Sequence, residues 1–132
     1  MPFSCLIVDD SAGFLDAARA LLVQEGIRVV GVASTKAEAL QRAKELRPEV
    51  ILVDIDLGAD SGFDLAHRLV EESGLDPRSV ILISTHAREE FADLIEASAA
   101  GGFLSKSDLS ASAIREVVGR NGGGAVSAPR ET

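Results

Sequence analysis

The sequence has few cysteines, few basic side chains and no long apolar run. Its 132 residues include a single cysteine, Cys5, and this count excludes an internal disulfide framework and a CxxC zinc site. We expect Cys5 to be a small core residue. No apolar run reaches the ~18 residues of a membrane span. The opening segment MPFSCLIVDD lacks the basic region of a secretory signal. These absences predict a reduced, cytoplasmic location.

Acidic side chains outnumber basic ones, with 21 Asp and Glu residues against 13 Lys and Arg, and the formal net charge is −8. A general nucleic-acid binder needs a basic face to displace counterions from phosphates, and an anionic membrane surface makes the same demand. The charge therefore argues against nucleic-acid and membrane partners and favours a cation or a basic protein surface. The sequence also contains neither a GxxxxGK[ST] nor a GxGxxG phosphate loop.

Short apolar runs alternate with longer segments of helical period. The runs predict five strands, at residues 3–8, 28–33, 50–54, 79–84 and 102–104. The intervening segments predict five helices, at residues 11–26, 36–46, 63–73, 89–99 and from a cap at Asp108 to Arg120. Serial β–α units imply a parallel sheet with helices on both faces. We therefore expect an α/β fold with a flavodoxin-like, doubly wound (βα)5 sheet of strand order 2-1-3-4-5. Residues 1–120 would form this domain, and 121–132 a flexible tail or the start of a linker.

Chemically active side chains stand where four of the five predicted strands end. They are Asp9 and Asp10 after the first strand, Asp54 at the third, Ser84 and Thr85 at the fourth, and Lys106 after the fifth. Three neighbouring carboxylates raise each other's proton affinity unless a cation joins them, and hard oxygen ligands favour Mg²⁺. A lysine and a hydroxyl opposite the metal would complete a cage for a phosphoryl group. Asp54, at the centre, could be the nucleophile, because aspartate forms acyl phosphates.

Each of these residues has an ordinary explanation when it is taken alone. An aspartate at a strand end is more often a turn former or a helix cap, and a single lysine or serine after a strand indicates nothing. His67, in the middle of a predicted helix beside Arg68, is read as a solvated surface residue. The joint pattern at four strand ends, however, is hard to obtain from turn statistics.

The joint pattern resembles the receiver domain of response regulators, the phosphoacceptor module of two-component signalling. The resemblance extends over roughly residues 3–120 and rests on LIVDDS, on VILVDIDLGADSGFDL with Gly62 eight residues after Asp54, and on VILIS followed by GFLSK. The segments KSDLSASAIREVV and GGAVSAP are similar to the last helix and linker of LuxR/FixJ-type receivers, which continue into a DNA-binding domain.

The resemblance implies a role for each of these residues. Asp54 would be the phosphoacceptor, and Mg²⁺, with Mn²⁺ as a substitute, would be held by Asp9, Asp10, Asp54 and the backbone carbonyl of Asp56. Ser84, Thr85 and Lys106 would bind the phosphoryl group. The remaining roles are a switch formed by Ser84 and Phe103, and two positions that modulate dephosphorylation, Asp56 and His86.

Several residues depart from the family pattern. Gly58 and Ser107 stand where the family usually has proline, and the second change predicts a more relaxed loop after the lysine. Phe103 lacks the tyrosine hydroxyl, so a switch at that site would work by packing and burial. Thr85 is larger than the usual residue at its position. With His86 it could crowd the path of an attacking water, which predicts a long-lived phosphoform.

The implied function is a phosphorylation switch. A sensor histidine kinase or phosphotransfer protein would phosphorylate Asp54 in a Mg²⁺-dependent reaction. The face built from the fourth helix, the fifth strand and the fifth helix would then control a partner or an output domain, such as one that regulates transcription. The same face would form any homodimer, and this domain itself would contact no nucleic acid. It would be no enzyme beyond catalysing its own phosphorylation and dephosphorylation.

Three other classes share part of the pattern. A haloacid dehalogenase-like phosphatase would use Asp54 as nucleophile and Asp56 as general acid, although that motif usually opens a chain. A flavodoxin-like FMN binder has the same sheet order, but DDSAG after the first strand would repel its phosphate. A pseudo-receiver that functions without phosphorylation is disfavoured by the full set of acidic, hydroxyl and lysine positions.

Overall fold

Five apolar segments form one parallel sheet in the computed structural model, which describes residues 3–58, 60–86 and 88–126. The strands are β1 (Ser4–Val8), β2 (Arg28–Ala33), β3 (Val50–Asp54), β4 (Val80–Ser84) and β5 (Gly102–Ser105). Their order is 2-1-3-4-5 and every pairing in the sheet is parallel. The predicted flavodoxin-like, doubly wound α/β fold is confirmed. Every residue of β1, β3 and β4 is buried, which explains why these strands are continuous apolar runs.

Helices cover both faces of the sheet. They are α1 (Ala12–Gln24), α2 (Lys36–Leu46), α3 (Gly62–Glu71), α4 (Ala92–Ala97) and α5 (Ala111–Val126). One core layer lies between the sheet and α2, α3 and α4, and the other lies between the sheet and α1 and α5. Alternate residues of β1 enter opposite layers, Leu6 the first and Cys5 the second. Cys5 is fully buried, as predicted, and burial raises the pKa of its thiol to about 12. None of the helices in the described ranges is long and apolar enough to cross a bilayer.

Side-chain caps fix the starts of three helices close to the ends of the preceding strands. Ser11 caps α1, Thr35 caps α2 and Ser61 caps α3, each through a hydroxyl oxygen that accepts a backbone N–H bond from the first turn. These caps satisfy donors that would otherwise lack a partner at the rim of the sheet. The loops between strand and helix are therefore short and anchored where the candidate site lies.

The fifth helix differs from the prediction at both ends. Asp108 is not its cap, because Lys106–Asp108 form a 3₁₀ turn and the helix begins only at Ala111. The Glu25 carboxylate instead accepts the Ala111 N–H (2.6 Å), and the Ser110 hydroxyl accepts the N–H of residue 113 (3.0 Å). The helix continues to Val126, so its predicted end at residue 120 is too early. Of the predicted tail, residues 127–132 lie outside the described residues.

The fourth helix is shorter than the predicted 89–99. Arg88–Phe91 form a 3₁₀ turn and the α-helix occupies only Ala92–Ala97. The hydroxyl of Ser98 donates to the carbonyl of Ile95 (2.7 Å), which closes the helix at this point. His67, on α3, is exposed as predicted.

Candidate functional site

The two central strands bring the first carboxylates together. In the pairing of β1 with β3, Val8 lies opposite Val53, so the next residue of each strand, Asp9 and Asp54, lies at the same rim. The chain turns from β1 to β2 on one side and reaches β3 on the other, which makes this rim the topological switch point of the sheet. Asp9 and Asp54 are buried, whereas Asp10 is exposed.

The three carboxylates form one cluster. One oxygen from each of Asp9, Asp10 and Asp54 lies within 4.8 Å of the others. Asp9 Oδ1 accepts the backbone N–H of Ser11 (2.8 Å), and the backbone N–H of Asp56 acts to lower the pKa of Asp54. Asp9 Oδ2 is buried and accepts no hydrogen bond of good geometry from the described residues. The cluster therefore holds more negative charge and more acceptor oxygens than its neighbours satisfy.

Lys106, which directly follows β5, supplies positive charge to the cluster. Its Nζ lies 2.5 Å from Asp9 Oδ2 and 3.6 Å from Asp54 Oδ2, and its side chain is only 14% exposed. The contact with Asp9 is a charge contact without hydrogen-bond geometry. One ammonium cannot neutralise three carboxylates, so the rim remains anionic.

Burial gives Asp54 unusual acid–base properties. Desolvation is the main reason that its pKa rises to about 6 from the ordinary 3.8, and the negative charge of Asp9 adds to the effect. The ammonium of Lys106 and the N–H of Asp56 act in the opposite direction without cancelling the rise. Uncompensated charge at this position is therefore a local source of instability.

The donor set fits a hard divalent cation. Carboxylate oxygens are the ligands that Mg²⁺ prefers, and the ammonium of Lys106, which contacts Asp9 and Asp54, balances only part of the charge of the three carboxylates. Asp9, Asp10 and Asp54 converge closely enough to share one ion. Three of the ligands assigned to the metal by sequence are thus brought together, and the fourth, the backbone carbonyl of Asp56, stays a prediction.

Two glycines shape the loop that follows Asp54. Gly62 opens α3, where an added Cβ would collide with the backbone carbonyl of Asp54 and lie 2.7 Å from the Cα of Ile55. Its N–H donates to the carbonyl of Ile55 (2.7 Å). Gly58 has φ of +67°, and a Cβ there would lie 3.2 Å from Asp10 Oδ2. Proline, whose φ is fixed near −65°, cannot adopt this conformation.

Ser84, Asp56 and His86 meet at a cavity of about 310 Å³ beside the acidic cluster. Ser84 is buried, and its Oγ accepts the backbone N–H of His86 (3.0 Å). The His86 ring is exposed, and its Nδ1 lies 3.4 Å from Glu90 Oε1. Thr85 is exposed and does not line this cavity. The structure therefore groups three of these predicted residues and places Thr85 outside the group.

The predicted switch residue Phe103 lies on β5, opposite Leu82. Its ring is half-buried against the core layer beneath α2, α3 and α4. Two residues further along, Ser105 pairs with Ser84, so one strand pair joins the site to the ring.

No sequence pattern predicts the contacts of two further residues at the site, Lys36 and Phe14. Lys36, at the start of α2, places its Nζ 2.9 Å from Asp64 Oδ2 and 3.7 Å from Asp60 Oδ1, and so ties α2 to the loop after Asp54. The ring centroid of Phe14 lies 4.3 Å from the Nζ of Lys106. The helical period places Phe14 on the apolar face of α1, but nothing in the pattern predicts its ionic neighbour.

A model of the response regulator receiver domain matches residues 5–118. The chain belongs to the response regulator receiver family. The matched range contains β1 from Cys5 onward, the other four strands of the parallel sheet and every residue of the acidic cluster. Receivers are signalling modules, and this membership argues against the dehalogenase-like and flavodoxin-like alternatives.

The known relatives of this receiver differ from one another in length. The chemotaxis protein CheY of Thermotoga maritima is 31% identical over 96 residues, which cover 73% of this chain and 77% of that protein. The protein-glutamate methylesterase/protein-glutamine glutaminase of Archaeoglobus fulgidus is 32% identical over 105 residues, covering 78% of this chain and 29% of that protein. The chain spans less than a third of the length of the methylesterases that it matches.

A solved structure supports the same assignment. The signal receiver domain of a modulated diguanylate cyclase from Desulfovibrio desulfuricans superposes with a TM-score of 0.74 at 29% identity. The superposition covers 92% of this chain and 94% of that one.

The raised pKa of Asp54 predicts a pH-dependent stability difference when divalent metal is absent. A carboxyl group with a raised pKa in the folded state lowers the free energy of unfolding as pH rises from about 4 to above 6. The shift from 3.8 to about 6 corresponds to about 3 kcal/mol. Asp54→Asn should therefore be more stable than wild type at pH 8 in EDTA, by up to this amount, and equal to it near pH 3.5. Chemical denaturation at both pH values measures the difference, with the exposed Asp16→Asn as control. Equal stability at pH 8 would contradict the prediction.

Gly58→Ala should weaken the site. A Cβ at a positive φ is strained by about 1 kcal/mol, and here it would also press on Asp10 Oδ2. We expect a lower free energy of unfolding and weaker Mg²⁺ binding, measured by calorimetric titration. Gly13→Ala is the matched control, because its new Cβ would have 4.0 Å of clearance from Ser11 Oγ within a helix. Unchanged Mg²⁺ affinity in Gly58→Ala would show that the loop does not position Asp10.

Proposed function

We propose that the chain is a phosphorylation switch in which Asp54 accepts a phosphoryl group from a sensor histidine kinase or a phosphotransfer protein. The observation that carries this proposal is the convergence of Asp9, Asp10 and Asp54 within 4.8 Å at the switch point. The contact of Lys106 with two of them supports it. Family membership supports phosphorylation-based signalling in general, and the identity of the acceptor is the finer part of the proposal.

The transfer moves one phosphoryl group between two side chains. The bond between phosphorus and the donor histidine nitrogen breaks, and a bond forms between phosphorus and an Asp54 carboxylate oxygen, giving an acyl phosphate. The donor ring leaves as a neutral imidazole because the proton on its other nitrogen stays with it. Mg²⁺, held by Asp9, Asp10, Asp54 and the carbonyl of Asp56, would neutralise charge on the transferred oxygens. Lys106 would add a second positive charge.

The residues around Asp54 would then respond to the new group. Phosphorylation adds about −1.5 to −2 charges and strong acceptor oxygens. The Ser84 hydroxyl, which now accepts from the N–H of His86, can donate to a phosphoryl oxygen from its buried position. Its movement would change the space available to the half-buried Phe103 ring. The population would shift toward this second arrangement of Ser84 and Phe103 if it binds the phosphoryl group more strongly than the first arrangement does.

The output of the switch belongs to the proposal as well. The surface formed by α4, β5 and α5 would contact a partner, an output domain or a second copy of the chain. Relatives of the chain include one of near-equal length and others more than twice as long. A stand-alone regulator and the receiver portion of a longer protein, such as a transcription regulator, are therefore both represented among them.

Labelling with acetyl phosphate and Mg²⁺ tests the proposal. Wild-type protein should gain one phosphoryl group by intact-mass spectrometry, and Asp54→Asn should gain none, because the amide is not a nucleophile for this reaction. Omission of Mg²⁺ should also prevent labelling. Asp16→Asn, which changes an exposed carboxylate of α1 outside the acidic cluster, is the control and should remain labelled. Full labelling of Asp54→Asn would assign the wrong acceptor, and no labelling of wild type would favour a pseudo-receiver.

The lifetime of the phosphoform depends in our proposal on the bulk of Thr85 near the path of the attacking water. Thr85→Ala should speed dephosphorylation several-fold, measured as the loss of the mass increment after the donor is removed. Thr85→Val keeps the bulk without the hydroxyl and should leave the rate near that of wild type. If both variants lose the group at the wild-type rate, Thr85 does not restrict the water.

A further inference from the structure

The backbone on either side of Lys106 is tied by a hydrogen bond between the Ser105 and Ser107 hydroxyls (3.0 Å), but this bond does not fix the lysine side chain. Its ammonium is carried on a flexible four-carbon stem with several rotatable bonds. It opens the 3₁₀ turn Lys106–Asp108, and the turn has no side-chain cap hydrogen bond at its start. Ser107 follows, and serine leaves φ free where a proline ring would fix it. The position of the ammonium must therefore be set by what surrounds it.

An aromatic ring lies on one side of this ammonium. The Nζ of Lys106 is 4.3 Å from the ring centroid of Phe14, inside the ~6 Å range of cation–π attraction. The ring is itself well placed, because the backbone N–H of Phe14 donates to the capping Ser11 (3.3 Å). Its side chain also packs on the core layer beneath α1 and α5.

The ring and the carboxylates act on the ammonium together. Asp9 and Asp54 lie 2.5 Å and 3.6 Å from Nζ, and Phe14 adds a third contact. The Lys106 side chain is 14% exposed, and cation–π attraction is stronger where water is excluded. We propose that Phe14 is a positioning residue that holds Lys106 in place for phosphoryl transfer to Asp54. This inference rests on the proposed function.

The chain provides a matched control for the loss of the ring. Phe3 packs against the same core layer as Phe14, but it precedes β1 and so lies at the opposite end of that strand from the acidic cluster. Phe3→Leu and Phe14→Leu remove the same atoms from the same layer. A difference between them therefore reports the contact with Lys106 and not the loss of packing.

The experiment measures the rate of acetyl phosphate labelling and, separately, the contact itself. Phe14→Leu should label about three- to tenfold more slowly than wild type, the effect expected from a partly desolvated cation–π contact. Phe3→Leu should label at the wild-type rate, and Phe14→Tyr, which keeps a π face, should stay within about twofold of it. Phe14→Leu should cause no further loss in the Lys106→Met background.

Proton NMR observes the contact without any phosphorylation. The ε-methylene protons of Lys106 should be shifted upfield by the ring current in wild type and return toward ordinary values in Phe14→Leu. If Phe14→Leu is poorly folded, pentafluorophenylalanine at position 14 keeps the shape, reverses the quadrupole and should slow labelling equally.

The outcomes separate this inference from the proposed function. Labelling of wild type on Asp54 with a wild-type rate in both Phe14→Leu and the fluorinated protein would overturn the inference alone. Equal slowing by Phe14→Leu in the Lys106 and Lys106→Met backgrounds would also overturn it, because the effect would not pass through the lysine. Failure to label wild type would overturn the proposed function. The positioning role of Phe14 would fail with it, although the NMR shift would still report whether the contact exists.

Discussion

Repulsion among three carboxylates at one rim of the sheet is the constraint on which the rest of the site depends. Parallel pairing of β1 with β3 imposes this repulsion. Val8 lies opposite Val53, so Asp9 and Asp54 lie next to each other where the two strands end. Both are buried, and a lower local dielectric strengthens their repulsion. Lys106 offsets only part of this charge. The rim therefore carries surplus negative charge, and its buried oxygen Asp9 Oδ2 accepts no hydrogen bond of good geometry from the described residues. These features suit the binding of a hard cation and a reaction that depends on electrostatic attraction.

The neighbouring backbone holds the central carboxylate in spite of that repulsion. Ile55 is fixed from both sides, since its N–H donates to the carbonyl of Ile83 (3.0 Å) and its own carbonyl accepts from Gly62 (2.7 Å). Gly62 can approach this closely only because it has no Cβ. Asp54 is thus attached to a rigid turn, and the loop after it places Gly58, at a positive φ, next to Asp10.

The sequence was sufficient for the features that depend on burial and on strand order. Continuous apolar runs predicted the buried strands, and parallel topology then required Asp9, Asp54 and Lys106 to share a rim, as they do. The features that the sequence did not predict depend on which of several polar side chains makes a given contact. Asp108 has the right side chain for a cap, but the helix starts later, where Glu25, the residue directly after α1, supplies the acceptor across 86 positions of sequence. Such long-range contacts, like that of Phe14 with Lys106, leave no periodic pattern in the chain.

The position of Lys106 links the chemistry to the face that would carry the signal. Its ammonium lies nearer to Asp9 than to Asp54, and both carboxylates are buried. A phosphoryl group on Asp54 would change this balance, since its added charge makes the acceptor side the stronger attraction for the ammonium. Lys106 directly follows β5, whose pairing with β4 joins Ser105 to Ser84. A shift of the lysine toward Asp54 would therefore pull on the strand that carries Phe103, and the electrostatics of the rim would reach the α4–β5–α5 surface through one strand pair.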